Sequence, residues 1–98
     1  MEKRTPHCKL SVLKAMAIAG NVRTTKSARQ GASDLGLSFS DMVNVLMSLQ
    51  PKDFHKSMTA NVDSKIWQDV YRPLTKVGLI YLKLTVIEDV LIVSFKEL

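Results

Sequence analysis

At 98 residues the chain is long enough for one hydrophobic core and too short for two, so a single domain over residues 1–98 is expected. A hydrophobic share of 46% excludes a disordered chain, and no apolar run approaches a membrane span. The net charge of +5 is uneven: residues 1–30 carry seven lysines and arginines against Glu2 alone, an excess of +6, while the rest carries −1.

That asymmetry fits a polyanionic partner, and it fits equally a solvated basic face that serves only solubility. Cys8 alone cannot form an internal disulfide, and with only His7 and His55 beside it a structural zinc site has too few soft ligands. The basic start Met1-Glu2-Lys3-Arg4 is not followed by an apolar segment with a small-residue cleavage site, so a cytoplasmic location is expected.

In chain order, Thr5-Pro6 suits a helix N-cap followed by proline at the first helical position. Leu10, Leu13 and Ala17, flanked by Val12 and Met16, form one apolar stripe that Gly20 stops. After an extended link at Asn21–Arg23, Thr24 or Thr25 caps a second helix through Leu35, closed by Gly36, with Gly31 as an unfavourable interior residue. Ser38 and Asp41 make a capping-box pattern for a third helix with Met42, Val45, Leu46 and Leu49 on one face, and Pro51 ends the helical half.

Beyond Pro51 the pattern turns to strands at Asp53–Thr59, Lys65–Arg72, Val77–Ile87 and Asp89–Lys96, the last two joined by a tight turn at Glu88-Asp89. In the third of these, Ile80, Leu82, Leu84 and Val86 share a face opposite Tyr81, Lys83 and Thr85. In the fourth, Leu91, Val93 and Phe95 oppose Ser94 and Lys96. Apolar faces packed on the helices leave Tyr81, Lys83, Ser94 and Lys96 towards solvent. Lys56 shares a face with Phe54 and Met58, and Gln68 with Ile66, Val70 and Arg72, so alternation leaves the orientation of the first two strands open. The order of elements predicts an α+β fold of helices followed by an antiparallel sheet.

No phosphate-cradling glycine loop occurs, and no HExxH, CxxC or GxSxG pattern. The carboxylates are scattered, which argues against two-metal cleavage, and no histidine has an evident partner for activating a serine or cysteine. RNA allows another route, because its own 2′-hydroxyl can attack the adjacent phosphorus. The protein then only aligns the groups, accepts and returns a proton and offsets the growing negative charge, roles that lysine, tyrosine and glutamine can divide. Taken singly, each of these residues reads as readily as structure: Tyr81 as a rim residue, Lys56 and Lys96 as solvated strand lysines, Gln68 as a surface amide. Trp67 and Met58 read better as packing residues than as base-stacking platforms, and His7 and His55 as surface histidines.

The start Met1–His7, the run Val22–Thr25, the segments Asp53–Thr59 and Ile66–Pro73, and the long end Val77–Glu97 resemble the MqsR family of toxin ribonucleases over nearly the whole chain. The resemblance implies a RelE/YoeB-like fold, a curved antiparallel sheet with helices on one side. It implies ribosome-independent cleavage of single-stranded messenger RNA without a cofactor, preferring GC-containing triplets such as GCU. Catalytic positions of the family match Lys56, Gln68 and Tyr81, a supporting basic position matches Lys96, and substrate-contact positions match Arg72 and Met58. His55 departs from the family pattern, where tyrosine is common, and places a titratable ring beside Lys56. The implied partner is an MqsA-like antitoxin with an N-terminal zinc domain and a helix-turn-helix domain. The competing reading is a nucleic-acid-binding or regulatory module without catalysis, which would not need the Lys56, Gln68 and Tyr81 set.

Overall fold

The computed structural model describes all residues 1–98. Three helices, α1 (Leu10–Ile18), α2 (Lys26–Asp34) and α3 (Phe39–Ser48), accompany seven strands. The strands are β1 (Glu2–Lys3), β2 (Val22–Thr24), β3 (Phe54–Thr59), β4 (Trp67–Tyr71), β5 (Leu74–Thr75), β6 (Gly78–Val86) and β7 (Val90–Glu97). They form one sheet in the order β1-β3-β4-β6-β7-β2, with β5 pairing the start of β6. The fold is mixed α+β, and two expectations need correction. The sheet is not purely antiparallel, because β2 runs parallel to β7. Nor do helices simply precede strands, because β1 and β2 lie in the helical half and form the two edges of the sheet. Both are too short, at two and three residues, to show an alternation in sequence. Their places are set by long-range pairing, Glu2 with Met58 and Val22 with Val90. A bidentate contact from Arg23 to Asp89 ties β2 to the turn between β6 and β7.

Helix α1 starts later than Thr5-Pro6 suggests, with Lys9 as its N-cap. The reason lies in β4. The backbone N–H groups of His7 and Cys8 donate to the two carboxylate oxygens of Asp69, at 2.9 and 3.1 Å, so this stretch is held in bends against the sheet instead of entering the helix. Helix α2 agrees with its sequence signals: the Thr25 hydroxyl accepts from the Ala28 N–H, and Gly36 takes a left-handed φ of +76° beyond the C-cap. Gly31, unfavourable by propensity, has a packing reason, since a Cβ there would stand 2.0 Å from the carbonyl oxygen of Phe95. Helix α2 therefore lies directly on β7, and Gly31→Ala would push the two apart. Helix α3 has the full capping box, Asp41 N–H to Ser38 Oγ at 3.1 Å and Ser38 N–H to Asp41 Oδ2 at 2.8 Å.

The helices cover one face of the sheet. Leu13, Ala17, Ala28, Ala32, Met42, Leu46 and Leu49 meet Tyr71, Ile80, Leu82, Leu84, Val90, Ile92 and Phe95 in a single core. Each fully buried leucine, isoleucine or phenylalanine contributes about 1.5–3 kcal/mol, which is what holds the sheet's other face open. On β6 the inward set is Ile80, Leu82 and Leu84, as its alternation predicts, with Val86 only half-buried. On β7 the expected set Leu91, Val93 and Phe95 is wrong in its first two members. Lys83 pairs with Ser94 but Leu84 pairs with Ile92, so Val93 is an extra residue in a β-bulge. The bulge shifts the alternation by one, and Val90, Ile92 and Phe95 point inward instead.

Candidate nucleic-acid interface

Residues directly opposite each other on paired strands project from the same side of a sheet, so the register fixes which side chains share the open face. Three cross-strand rows result. In the first, Lys56 on β3 stands opposite Val70 on β4, Val70 opposite Lys83 on β6, and Lys83 opposite Ser94 on β7. In the second, Tyr81 on β6 stands opposite Lys96 on β7, at the end of β4 where Arg72 follows Tyr71. In the third, Glu2 on β1 faces Met58 on β3, and Met58 faces Gln68 on β4. The ambiguity of the first two strands is thereby resolved. Lys56, Met58, Gln68, Tyr81 and Lys96 share the face that the helices leave open. Ser57, Asp69 and Leu84 are buried on the other.

Lys56, Gln68, Tyr81 and Lys96 come from four neighbouring strands, one from each. They are not equally close. Gln68 and Tyr81 lie on opposite sides of the Lys56–Lys83 row, and adjacent strands about 4.8 Å apart with about 3.4 Å per residue put their backbones about 14 Å apart. The two side chains must lean towards each other over Lys83 to meet at one phosphate. Lys83, which the sequence placed on the open face without a role, is thus the cation at the centre of the arrangement. The ammonium of Lys96 lies 5.3 Å from the centroid of the Tyr81 ring, a cation–π contact.

His55 is the extra residue of a second bulge, between the pairs Phe54–Tyr71 and Lys56–Val70. Desolvation is the largest influence holding its pKa below the ordinary histidine value. The cations Arg72, Lys56 and Arg4 add to it, with Glu2 opposing. The imidazole is therefore neutral at physiological pH, and its neighbours show how concentrated the positive charge is at this end of the face. Most of that charge comes from Lys56, Arg72, Lys83 and Lys96, in the part of the chain after residue 30 that carries a net charge of −1. Five of the eight acids there are engaged elsewhere: Asp41 and Asp53 in caps, Asp63 in a turn, Asp69 beneath the sheet and Asp89 with Arg23.

Trp67 pairs with Thr59 on the helix side of the sheet and does not reach the open face. Its ring stacks on His7 at 5.7 Å, and the Lys3 ammonium lies 4.2 Å from its centroid. This agrees with packing rather than base stacking as its role, and it accounts for His7. The carboxylate missed by sequence reasoning is Glu2. Lys56 Nζ donates to Glu2 Oε1 at 2.6 Å, across 54 residues of chain. Only the identity of Glu2 as the one acid in a basic segment could have drawn notice to it.

Comparison with known proteins bears on the same residues. Residues 5–97 match the family described as motility quorum-sensing regulator, toxin of MqsA. The chain is 60% identical over 97 residues to the mRNA interferase toxin MqsR of Escherichia coli (strain K12), a match that covers 99% of each protein. With the family model covering residues 5–97 and the relative matched over 99% of the chain, the chain belongs to the MqsR family of toxins.

Proposed function

We propose that this chain is the ribonuclease toxin of a type II toxin–antitoxin pair, an endoribonuclease that cuts single-stranded messenger RNA and so halts translation and growth. The E. coli relative bears the name mRNA interferase, and the observation that carries the reading to this chain is the open face itself. Lys56, Gln68, Tyr81 and Lys96 project from four neighbouring strands of one sheet. The face offers cations, a phenol and an amide around a single carboxylate. That donor set suits charge stabilisation and proton transfer more than the holding of a metal pair.

In the reaction the 2′-oxygen forms a bond to phosphorus while the bond from phosphorus to the 5′-oxygen breaks. The products are a 2′,3′-cyclic phosphate and a 5′-hydroxyl. Lys56 and Lys83 offset the charge that grows on the phosphoryl oxygens, Tyr81 presents its hydroxyl to the reacting centre, and Gln68 orients the ribose or a phosphoryl oxygen. Lys96 grips a phosphate beside Tyr81, while Arg72, Met58 and His55 contact neighbouring nucleotides and bias the choice towards GC-containing triplets such as GCU. The architecture is that of the RelE/YoeB-like toxins, in one cytoplasmic domain spanning residues 1–98. Its inhibitor is an MqsA-like antitoxin with zinc-binding and helix-turn-helix domains.

The test uses the purified chain and an end-labelled RNA containing GCU, with EDTA present and no ribosomes. Cleavage leaving a cyclic or 3′-phosphate is expected, and a 2′-deoxy substitution at the scissile nucleotide is expected to abolish it. Activity lost in chelator and restored by added metal would overturn the mechanism. RNA binding with no cleavage at all would leave a binding module in place of an enzyme.

A further inference from the structure

The open face holds one carboxylate, and it is bonded to the lysine assigned to the reaction. Glu2 stands opposite Met58, diagonally across from Lys56, and its Oε1 accepts a hydrogen bond from Lys56 Nζ at 2.6 Å. The side chain of Lys56 is 25% exposed and that of Glu2 52%, so the lysine is partly enclosed while the acid remains open to displacement. Glu2 is not there by the accident of a loose terminus. Met1 and Lys3 on either side of it are fixed to β3: the Thr59 N–H donates to the Met1 carbonyl at 3.0 Å, the terminal ammonium donates to Thr59 Oγ1 at 3.2 Å, and Lys3 pairs with Ser57. Behind this strand, Asp69 holds the backbone of His7 and Cys8.

A lone acid on a surface built to take phosphates works against binding, since it repels the ligand and occupies one of the cations. Its surroundings sharpen the conflict: Lys56 and Arg4 both lower the pKa of Glu2, and with Arg72 they also lower that of His55. The bond to Lys56 also holds the Glu2 carboxyl below the usual carboxylate range, so the acid is ionised at neutral pH. What it supplies in return is position. Lysine is a point charge on a flexible four-carbon stem, and without a partner its ammonium would spread over many rotamers.

We infer that Glu2 is a positioning residue for the cleavage reaction: it holds the Lys56 ammonium over the open face in the RNA-free protein and hands it to the scissile phosphate when RNA displaces the carboxylate. The inference rests on the assignment of Lys56 to the reaction. It makes the two-residue strand β1 part of the catalytic apparatus rather than a trimming of the sheet edge. No proton or bond changes hands at Glu2. An ammonium exchanges one anionic oxygen for another.

The experiment has two arms on the full chain. The first uses no RNA and follows the side-chain ammonium resonance of Lys56 by 15N NMR, identified by its absence in Lys56→Ala. In the wild type it is expected to be protected from solvent exchange, in Glu2→Gln lost to exchange, and in Glu2→Asp partly retained. The second arm measures single-turnover cleavage and RNA affinity. Glu2→Gln is expected to lower the maximal rate about ten- to hundredfold, as a misplaced group does, while tightening RNA binding severalfold. A structural role alone does not produce that opposed pair of effects. In a Lys56→Ala background the Glu2→Gln change is expected to cost nothing more.

A wild-type rate in Glu2→Gln, weakened RNA binding, or a further loss in the double variant would overturn the proposal. Melting curves accompany each variant, and if Glu2→Gln is unfolded then Glu2→Asp is read in its place, with a smaller rate loss expected. Wild-type cleavage by Lys56→Ala would also overturn it, and would place the failure in the assignment of Lys56, because the NMR arm reports on the ion pair independently of activity.

Discussion

Tyr81 and Lys96 face each other across β6 and β7, with the lysine ammonium 5.3 Å from the centre of the phenol ring. The cation takes up one side of the ring, and the hydroxyl is the group by which Tyr81 can act on a reacting phosphate. Tyr81→Phe keeps both ring and cation contact and removes only that hydroxyl. Folding and RNA affinity are expected to survive, while the cleavage rate falls about 10²-fold or more. The internal control is Tyr71, which is buried on the opposite side of the sheet and packs edge-on against Phe54. Tyr71→Phe is expected to leave cleavage unchanged. Single-turnover rates of the two variants settle the matter, and equal rates for Tyr81→Phe and wild type remove Tyr81 from the reaction.

Lys83 makes a prediction that sequence alone did not. Standing between the Gln68 and Tyr81 positions and in register with Val70 and Ser94, it lies where a phosphate spanning the face must pass. Lys83→Ala and Lys96→Ala are each expected to weaken RNA binding, and to reduce the slope of log affinity against log salt by about 0.7, the value for one phosphate contact on a single strand. Affinity measured over a salt series tests both. A slope unchanged by Lys83→Ala means that the RNA path avoids the centre of the face.

His55 carries the pH dependence. Burial, Arg72, Lys56 and Arg4 lower its pKa in the folded chain below its unfolded value. It therefore favours folding above the ordinary histidine pKa of about 6.5, and that contribution is lost as pH falls through the lower folded value. RNA phosphates beside the ring act in the other direction and favour the imidazolium. RNA binding is then coupled to proton uptake, and affinity is expected to rise as pH is lowered from 7 towards 5.5 more steeply in the wild type than in His55→Tyr. Titration in buffers of different ionisation heats measures the proton uptake directly. Identical pH dependence in the two proteins would show that the ring stays clear of the RNA.

What the sequence revealed and what it concealed divide along a physical line. Local chemistry was legible: the Ser38–Asp41 capping box, the Thr25 cap and the inward set Ile80, Leu82 and Leu84 each depend on a few neighbouring residues. Features that need distant partners were not. The Thr5-Pro6 helix start fails because Asp69, more than sixty residues away, captures the backbone at His7 and Cys8. The inward set of β7 fails because one extra residue, Val93, shifts its phase, and period-2 reasoning has no means of locating a bulge. The charge excess of the first thirty residues was only a partial guide to the open face, since Arg4 stands near His55 and Glu2 while Arg23 is taken by Asp89 and Lys3 lies on Trp67. The open-face set was named from a family resemblance, and alternation supported only its Tyr81 and Lys96 members. Glu2 escaped because a strand of two residues has no pattern to read.

Asp69 links these levels and gives the last prediction. Only 3% exposed, it pairs with Leu84 across the sheet, and its carboxylate accepts the backbone N–H groups of both His7 and Cys8. Hydrogen bonds to a charged group contribute about 1.5–3 kcal/mol each. Removing the carboxylate strands two backbone donors, unless the segment peels away to reach water. Asp69→Ala is expected to cost about 2–4 kcal/mol and to lower the melting temperature by about 10–20 °C. Asp69→Asn, which keeps one acceptor oxygen, is expected to lose less. The damage is also expected to be directional. With His7 and Cys8 released, β1 loses its anchor, amide exchange rises first at the N-terminal segment, and the Glu2–Lys56 bond opens before the core does. A variant that remains folded at the assay temperature should then show the kinetic signature of Glu2→Gln, slower cleavage with tighter RNA binding, although the mutated side chain lies on the far side of the sheet. Unchanged exchange at His7 and Cys8, together with a wild-type melting temperature, would show that β1 is held by its pairing with β3 alone.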